Sequence, residues 1–379
     1  MKIAYFVHDL SDAAVHRRIR MLAPFADLVV LGFRRSDKPV ATIGGITPID
    51  LGRTADGQFA QRIRAVMRAA AAQPRWLPAL TGVTHVMARQ LETLALAARA
   101  RRRIAPQAPL IFECLDIHRL MLDAGPVGLA LRGLEQRLLR KSGLLVVSSP
   151  AFVEAYFAPR QHIALPVHLL ENKMLASELD AGWPGNVVPP PAKPPWRIGW
   201  FGQIRCRRSL LLLAELARQL PRSVEVIIRG RVSTDVIPDF DAIVAATPGL
   251  SFHGRYDRAT MLGRIYGEVH FNWAMDFFEA GGNSEWLLPN RLYEGGAFGV
   301  VPIAFGRVET GRWLARHNAG VLLDEPIERS LLDFFRALTP DAYSTLRAAA
   351  ARIDASNFVD DSAACAQFVH KLASLRATA

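Results

Sequence analysis

The sequence predicts an α/β protein built as two successive parallel sheets, each covered by helices, and three observations predict it. At 379 residues the chain is too long for one core and fits two domains of ordinary size. In both halves short apolar runs alternate with segments of helical period, the pattern of a parallel sheet wrapped by helices. A proline-dense stretch parts the halves: from Gly182 to Trp196 the chain reads GWPGNVVPPPAKPPW, six prolines in fifteen residues. Proline fixes φ and removes a donor, so neither a helix nor a central strand runs through it.

The elements follow in order. Lys2–Val7 is an apolar strand, and Asp12–Leu22 a helix with Val15, Ile19 and Leu22 on one face. Asp27–Gly32 is the next strand, with another near Ile46–Leu51. Two long Ala/Arg-rich helices are expected at 58–72 and 84–103, separated by Pro74, Trp76 and Pro78. A strand at Leu110–Glu113, a helix near 127–140, a strand at Leu144–Val147 and a helix after Ser149 complete the first half. Beyond the proline stretch come strands at Arg197–Phe201, Val224–Ile228, Ser251–His253, Val269–Trp273 and Val300–Ala304. Between them lie helices at Ser209–Leu220, Asp257–Tyr266 and Asn290–Phe298, and three more follow at 327–338, 340–352 and 361–375. The domains expected are 1–181, a linker at 182–196, a second domain at 197–358, and a terminal helical segment at 359–379 that could pack back on the first.

Composition narrows the class. Half of the residues are hydrophobic and 21% charged, which suits a globular protein and not a disordered one. Cys114, Cys206 and Cys365 are scattered and form no CxxC pair, arguing against a disulfide framework or a structural zinc and for a reducing cytosol. The apolar run of MKIAYFVHDLSD ends at His8 and Asp9, short of the ~7–15 residues of a signal core. No run approaches the ~18 apolar residues of a membrane span. A soluble or peripheral cytoplasmic protein is expected.

The net charge of +11 is unevenly placed. Between Phe59 and Arg103 stand nine arginines and a single acid, Glu92. Anionic lipid, nucleic acid or a diphosphate-bearing substrate could each meet such a segment, and a solvated helix face is the plain alternative. Nucleic acid is disfavoured because aromatics are not interleaved with the arginines. An anionic membrane surface is the candidate partner for 59–103.

In open parallel sheets ligands bind beyond the carboxyl ends of the strands. Four such ends are chemically dense. His8-Asp9-Leu10-Ser11-Asp12 follows the first strand, with His16-Arg17-Arg18 expected on a solvated helix face. Glu113-Cys114-Leu115-Asp116-Ile117-His118-Arg119 follows another. Gly202-Gln203-Ile204-Arg205-Cys206-Arg207-Arg208 combines a glycine, three arginines and a helix start, which suits a diphosphate; a plain basic loop is the alternative. It is neither a Walker loop nor GxGxxG, so ATPase and dehydrogenase are not supported. The fourth end is Glu279 to Glu294, EAGGNSEWLLPNRLYE.

At Pro289-Asn290-Arg291-Leu292-Tyr293-Glu294, followed by Gly299 and Pro302, the chain resembles the C-terminal half of GT-B type glycosyltransferases, whose pattern there is roughly P-N-K-x-x-E-x-x-x-x-G-x-P-V. Pro302 comes one residue late. Trp286 stands where many members carry a second glutamate, with Glu285 one position off. Within the group the chain looks nearest to bacterial exopolysaccharide enzymes of the succinoglycan type. The resemblance implies two Rossmann-like domains facing across a cleft and transfer of a sugar from a nucleotide-sugar donor to a saccharide, plausibly lipid-linked. Sugar-nucleotide epimerases or hydrolases of the same fold, and a non-enzymatic basic binding protein, are the rivals.

The resemblance also assigns roles. Glu294 binds the ribose hydroxyls, a task for which a carboxylate has the acceptors. Asn290, Arg291, Arg205, Arg208, Gln203 and the backbone at Gly202 hold the donor diphosphate, and His8 and Asp9 lie on the acceptor side. An inverting enzyme needs a general base, for which Asp116 ranks first, His118 second and Glu113 third; Asp116 as a mere helix cap is the alternative. No metal and no cofactor are expected. Asp239-Phe240-Asp241 has the DxD form of the other large glycosyltransferase fold, but it opens a predicted helix, where acids complement the dipole.

Overall fold

The computed structural model describes residues 1–55, 59–179, 183 and 188–376. The chain divides into two units, Met1–Glu171 with Ser362–Ala379, and Asn172–Asp361.

The first unit carries β1 (Lys2–Val7), β2 (Asp27–Arg34), β3 (Ile49–Arg53), β4 (His85–Arg89), β5 (Leu110–Cys114), β6 (Leu144–Val147) and β7 (Val167–Leu169). Their order across the sheet is β3-β2-β1-β4-β5-β6-β7, and every neighbouring pair is parallel. β1 reads as an unbroken apolar run because a central parallel strand is covered on both faces; Ile3 to Val7 are wholly buried. The helix Ala13–Leu22 starts where Asp12 accepts the amide of Ala14 at 2.6 Å, an N-cap. The strand order reverses between β1 and β4, which makes their carboxyl ends the place for a ligand.

β4 lies inside the segment expected as a helix over 84–103; the helix begins only at Leu91 and runs to Ile104. All five residues of β4 are buried, so His85-Val-Met-Ala-Arg89 shows no two-residue alternation. Its alanine and methionine favour helix in isolation, and the sheet overrides them.

The second unit opens with the short strand β8 (Met174–Leu175). There follow β9 (Trp196–Ile204), β10 (Val224–Val232), β11 (Leu250–Phe252), β12 (Phe271–Trp273), β13 (Val301–Phe305), β14 (Val321–Leu323) and β15 (Val359–Asp360). Six of them form a parallel sheet in the order β11-β10-β9-β12-β13-β14, again reversing beside its first strand; β15 pairs with β8. Neighbouring residues of β9 serve opposite faces. Trp200 joins the core under Leu213 and Phe271, and Phe201 joins the one containing Tyr266 and Leu292.

The unit boundary falls before Asn172, ahead of the expected linker at 182–196. Composition could not reveal this, because the cause is pairing. β8 bonds β15, and Lys173 Nζ donates to the carbonyl of Ser356 at 2.8 Å. The proline stretch is held too: His270 Nε2 donates to the carbonyl of Pro191 at 2.9 Å. Residues 182 and 184–187 of that stretch lie outside the described residues. The segment 359–379 is divided as well. β15 stays with the second unit, while the helix Ser362–Ala373 belongs to the first, where Phe368 stacks on His168 and the carbonyl of Leu372 meets His85 at 3.0 Å.

Candidate active site

Glycine stands within two residues of the carboxyl end of three adjacent strands of the second unit. Gly202 (φ 106°), Gly230 (φ 142°) and Gly254 (φ 71°) lie at or just past the ends of β9, β10 and β11, in conformations that L side chains rarely adopt. Gly230 faces Gly202 in register, and a Cβ on it would stand 1.8 Å from the Gly202 carbonyl oxygen. Gly202 and Gly254 face open space. The result is a floor of bare backbone. A surface pocket of ≈ 320 Å³ opens beside it, lined among others by Gly230, Val232, Phe240, Phe252, Gly254 and Arg255. The sequence reading found Gly202 and missed the other two, although each ends an apolar run in the same way.

Three of the residues expected on the donor side converge on one loop. The helix Asn290–Ala297 has Pro289 at its N-cap, which offers no side-chain acceptor, so the first amides are left for a ligand. Arg291 is buried and donates through Nη2 to the carbonyl of Met275 at 2.9 Å. Arg205 reaches Asp276 at 3.5 Å and lies 4.7 Å over the ring of Phe278, while Arg208 lies 4.5 Å over Phe277. Met275 to Phe278 follow β12 directly, so these three arginines share the loop at the sheet reversal. Asn290 is exposed at the helix start, and Gln203 donates to Ser233 Oγ at 2.6 Å.

Arg207 turns the other way, pairing with Asp239 at 2.6 Å. The first acid of Asp239-Phe240-Asp241 thus has a fixed internal partner. Among the described residues no three His, Cys, Asp or Glu side chains gather as a metal site would need.

Glu294 sits one helical turn beyond Arg291, buried, with Oε1 accepting from Arg258 Nε at 2.8 Å and Oε2 from Tyr266 at 3.3 Å. Arg258 also holds Glu178 at 3.1 Å. Burial works against the Arg258 charge, but the two glutamates outweigh it and its pKa stands above the usual arginine value. A carboxylate has about four lone-pair positions, so both oxygens of Glu294 can still accept from a diol. Two positioning residues escaped the sequence reading. Asn272 donates to the Arg291 carbonyl, and Gly295 is needed because a Cβ there would come within 2.5 Å of Asn272 Nδ2.

In the first unit the three expected bases stand in different surroundings. Glu113 is fully buried and saturated: Arg18 Nε at 2.7 Å and Arg89 Nη2 at 3.0 Å reach Oε1, and Arg89 Nε at 2.8 Å and Tyr5 at 2.5 Å reach Oε2. Burial raises its pKa, yet Arg89 and Arg18 prevail and bring it down to about 2. Glu113 is held as an anion with both of its oxygens bound. Arg17 and Arg18 are both only 5% exposed, against the solvated face expected for them; Arg18 is buried on Glu113, a partner distant in sequence.

His118 is exposed, but its Nδ1 accepts the amide of Leu120 at 3.3 Å, which occupies the lone pair a base would use. Partial burial of the ring nitrogens lowers its pKa even though the residue is largely exposed, with Arg62 adding to the effect. Asp116 is exposed and caps no helix; Gln90 donates to it at 2.6 Å. Asp9 is buried and bound to Ser11 and to Arg35 at 3.3 Å, so it shapes its loop. His8 stands just past β1 with Nε2 3.3 Å from Asp12.

The basic segment is less basic at its surface than in sequence. Arg89 is wholly buried and Arg62 pairs with Glu92 at 3.6 Å, leaving Arg64, Arg68, Arg75, Arg99, Arg102 and Arg103 exposed. Among the described residues no helix is long and apolar enough to cross a membrane.

No family model matches the chain. It shares 44% identity with the succinoglycan biosynthesis protein ExoL of Rhizobium meliloti over 380 residues, covering 99% of this chain and 94% of that protein. Among solved structures it superposes on sucrose-phosphate synthase from Thermosynechococcus elongatus with a TM-score of 0.73 at 13% identity, covering 98% of each chain. The Anabaena HepE protein, solved with UDP-glucose, matches with a TM-score of 0.64 at 15% identity, over 99% of this chain and 100% of that one. These likenesses establish the GT-B glycosyltransferase fold.

Proposed function

The chain belongs to the family of the succinoglycan biosynthesis protein ExoL, and on that footing we propose that it is a hexosyltransferase of exopolysaccharide synthesis, moving a sugar from a nucleoside-diphosphate donor to a hydroxyl of a lipid-linked saccharide. One observation carries the donor reading. Arg291 is 9% exposed, and among the described residues no carboxylate lies in ion-pair range of it; its Nε is buried without a partner. An uncompensated buried cation is costly unless an anion completes it. Beside the open amides of Asn290–Ala297 and the glycine floor, a diphosphate is the anion that fits. Arg205 and Arg208 share the charge that develops on the leaving group, Glu294 takes the ribose, and the aromatic-lined pocket takes the base. In this reading fixed cations replace a divalent metal.

Uridine diphosphate is the first ligand to test, since HepE was solved with a UDP-sugar. At about 100 times its Kd the nucleotide should add about 2.7 kcal/mol. For a unit of this size that raises the melting point by roughly 5–11 °C. Arg291→Met should abolish the shift, and sugar transfer should survive EDTA. A full panel of nucleoside diphosphates that leaves melting unchanged ends the proposal.

The enzyme works at the cytoplasmic face, attached peripherally. The helix Phe59–Ala71 supports this, for Ile63 and Met67 are 47% and 66% exposed one turn apart, with Arg64 and Arg68 exposed beside them. Apolar side chains flanked by arginines suit an anionic bilayer surface, each nearby arginine adding about 1 kcal/mol. Flotation with liposomes containing anionic lipid should carry the protein, and Met67→Asp should leave it behind.

A further inference from the structure

The loop that follows β1 is fixed from several sides. Leu10 donates its amide to the carbonyl of Phe33 at 2.7 Å, and His16 Nε2 donates to the carbonyl of Leu10 at 2.7 Å. Asp9 ties down Ser11 through amide and hydroxyl. Asp12 then divides its carboxylate between two tasks. Oδ1 caps the helix Ala13–Leu22, and Oδ2 meets His8 Nε2 at 3.3 Å. Burial opposes ionisation of Asp12, but the hydrogen bond from His8, with the charge of Arg89 on β4, overcomes it, and its pKa is lowered.

An anionic Asp12 at Nε2 selects one tautomer. The ring proton sits on Nε2, facing the carboxylate, and Nδ1 carries the lone pair. That nitrogen is buried and, among the described residues, has no hydrogen-bond partner, although 14% of the side chain is exposed. An unsatisfied buried acceptor beside an exposed ring edge, at the sheet reversal, lacks one donor. Of the other bases considered, Glu113 is saturated by cations and the acceptor lone pair of His118 is occupied, while Asp116, exposed and bound by Gln90 at one oxygen, is the rival that the variants below separate from His8.

We propose that His8 is the general base of the transfer and that Asp12 is its positioning residue; this rests on the glycosyltransferase reading above. Nδ1 takes the proton of the acceptor hydroxyl as an electron pair of that oxygen forms the bond to the anomeric carbon. The bond from that carbon to the diphosphate oxygen breaks, and the nucleoside diphosphate departs with its electrons. Attack opposite the leaving group inverts the anomeric configuration.

His8→Gln should lower kcat about 10²–10⁴-fold while leaving the nucleotide-induced melting shift and the donor KM unchanged. Asp12→Asn separates the two tasks, because asparagine caps a helix as well as aspartate. Its amide faces Nε2 with donors, driving the ring proton to Nδ1. This variant should melt like the wild type, lose at least tenfold in kcat and keep its donor KM. Asp116→Asn should stay within about fivefold. The inference is overturned if His8→Gln keeps more than a tenth of the activity, if Asp116→Asn is the variant that stops turnover, or if NMR shows the anomeric configuration retained. Failure of the glycosyltransferase reading itself looks different: wild-type protein would then transfer no sugar and show no nucleotide-induced shift.

Discussion

Glu113 offers the sharpest test of the first unit, because sequence placed it among the catalytic bases and the structure makes it a buried anion shared by Arg18, Arg89 and Tyr5. Its folded pKa of about 2 lies below the ordinary 4.5. One pKa unit is worth about 1.36 kcal/mol, so the carboxylate contributes about 3 kcal/mol at neutral pH. The folded value is the depressed one. The contribution is therefore complete above about pH 4.5 and disappears as pH falls through about 2.

Glu113→Gln removes the anion and strands two buried guanidinium groups. Breaking a buried pair from one side costs about 3–5 kcal/mol. For a domain of 150–250 residues each kcal/mol shifts melting by about 2–4 °C, so the variant should melt roughly 6–20 °C lower at pH 7. Scanning calorimetry of the full chain, with sugar transfer measured well below the new transition, separates fold from chemistry. The folded variant should retain transfer. A variant that melts within 2 °C of the wild type and yet transfers nothing would restore Glu113 as a catalytic group.

Two further outcomes follow from buried groups. Glu135 is pushed up to about 7 by burial, only partly offset by hydrogen bonds from Tyr156 and Gln161, each at 2.6 Å. The unfolded carboxyl ionises first, so stability falls as pH rises from about 4.5 to 7. Glu135→Gln should therefore match the wild type near pH 4 and exceed it by about 3 kcal/mol near pH 8, read from urea unfolding at both values. Gly230→Ala puts a methyl 1.8 Å from the Gly202 carbonyl oxygen at φ 142°. It should cost at least about 1–3 kcal/mol and abolish the nucleotide-induced melting shift, measured by thermal denaturation with and without uridine diphosphate.

What the sequence disclosed and what it hid differ by the range of the interaction involved. β1, the Asp12 cap and the helix at Asn290 were legible because apolar runs, cap residues and a Pro-Asn start are local signals. The motif at 289–302 was legible as a pattern of residue types, and the structure brings Arg205, Arg208 and Arg291 onto one loop. β4 was hidden because a strand buried on both faces loses its alternation and here uses helix-favouring residues. The unit boundary was hidden because β8 joins the second unit through β15, 185 residues onward. Arg18 looked solvated because its partner Glu113 lies 95 residues away.

Those hidden pairings change what the net charge of +11 means. A cation is the freer to serve a substrate the less closely the fold has already given it an anion; Arg205 and Arg208 hold theirs only at 3.5 and 3.7 Å, Asp276 and Glu328. Arg18 and Arg89 have Glu113, Arg207 has Asp239, and Arg258 has Glu178 and Glu294. Arg291, buried like Arg18 and Arg89, has a peptide carbonyl and, among the described residues, no carboxylate. Coulomb attraction at 4 Å is worth about 4 kcal/mol at an effective dielectric of 20, and a carboxylate already in place spends most of it. A diphosphate therefore gains more at Arg291 than at any of the paired arginines. The histidines sort by the same rule. His85 and His270 bond through both ring nitrogens and His118 through the nitrogen that carries its lone pair, whereas Nδ1 of His8 has no partner among the described residues. Unmet bonding at the two sheet reversals, rather than abundance of arginine or histidine, is what selects the residues a substrate would complete.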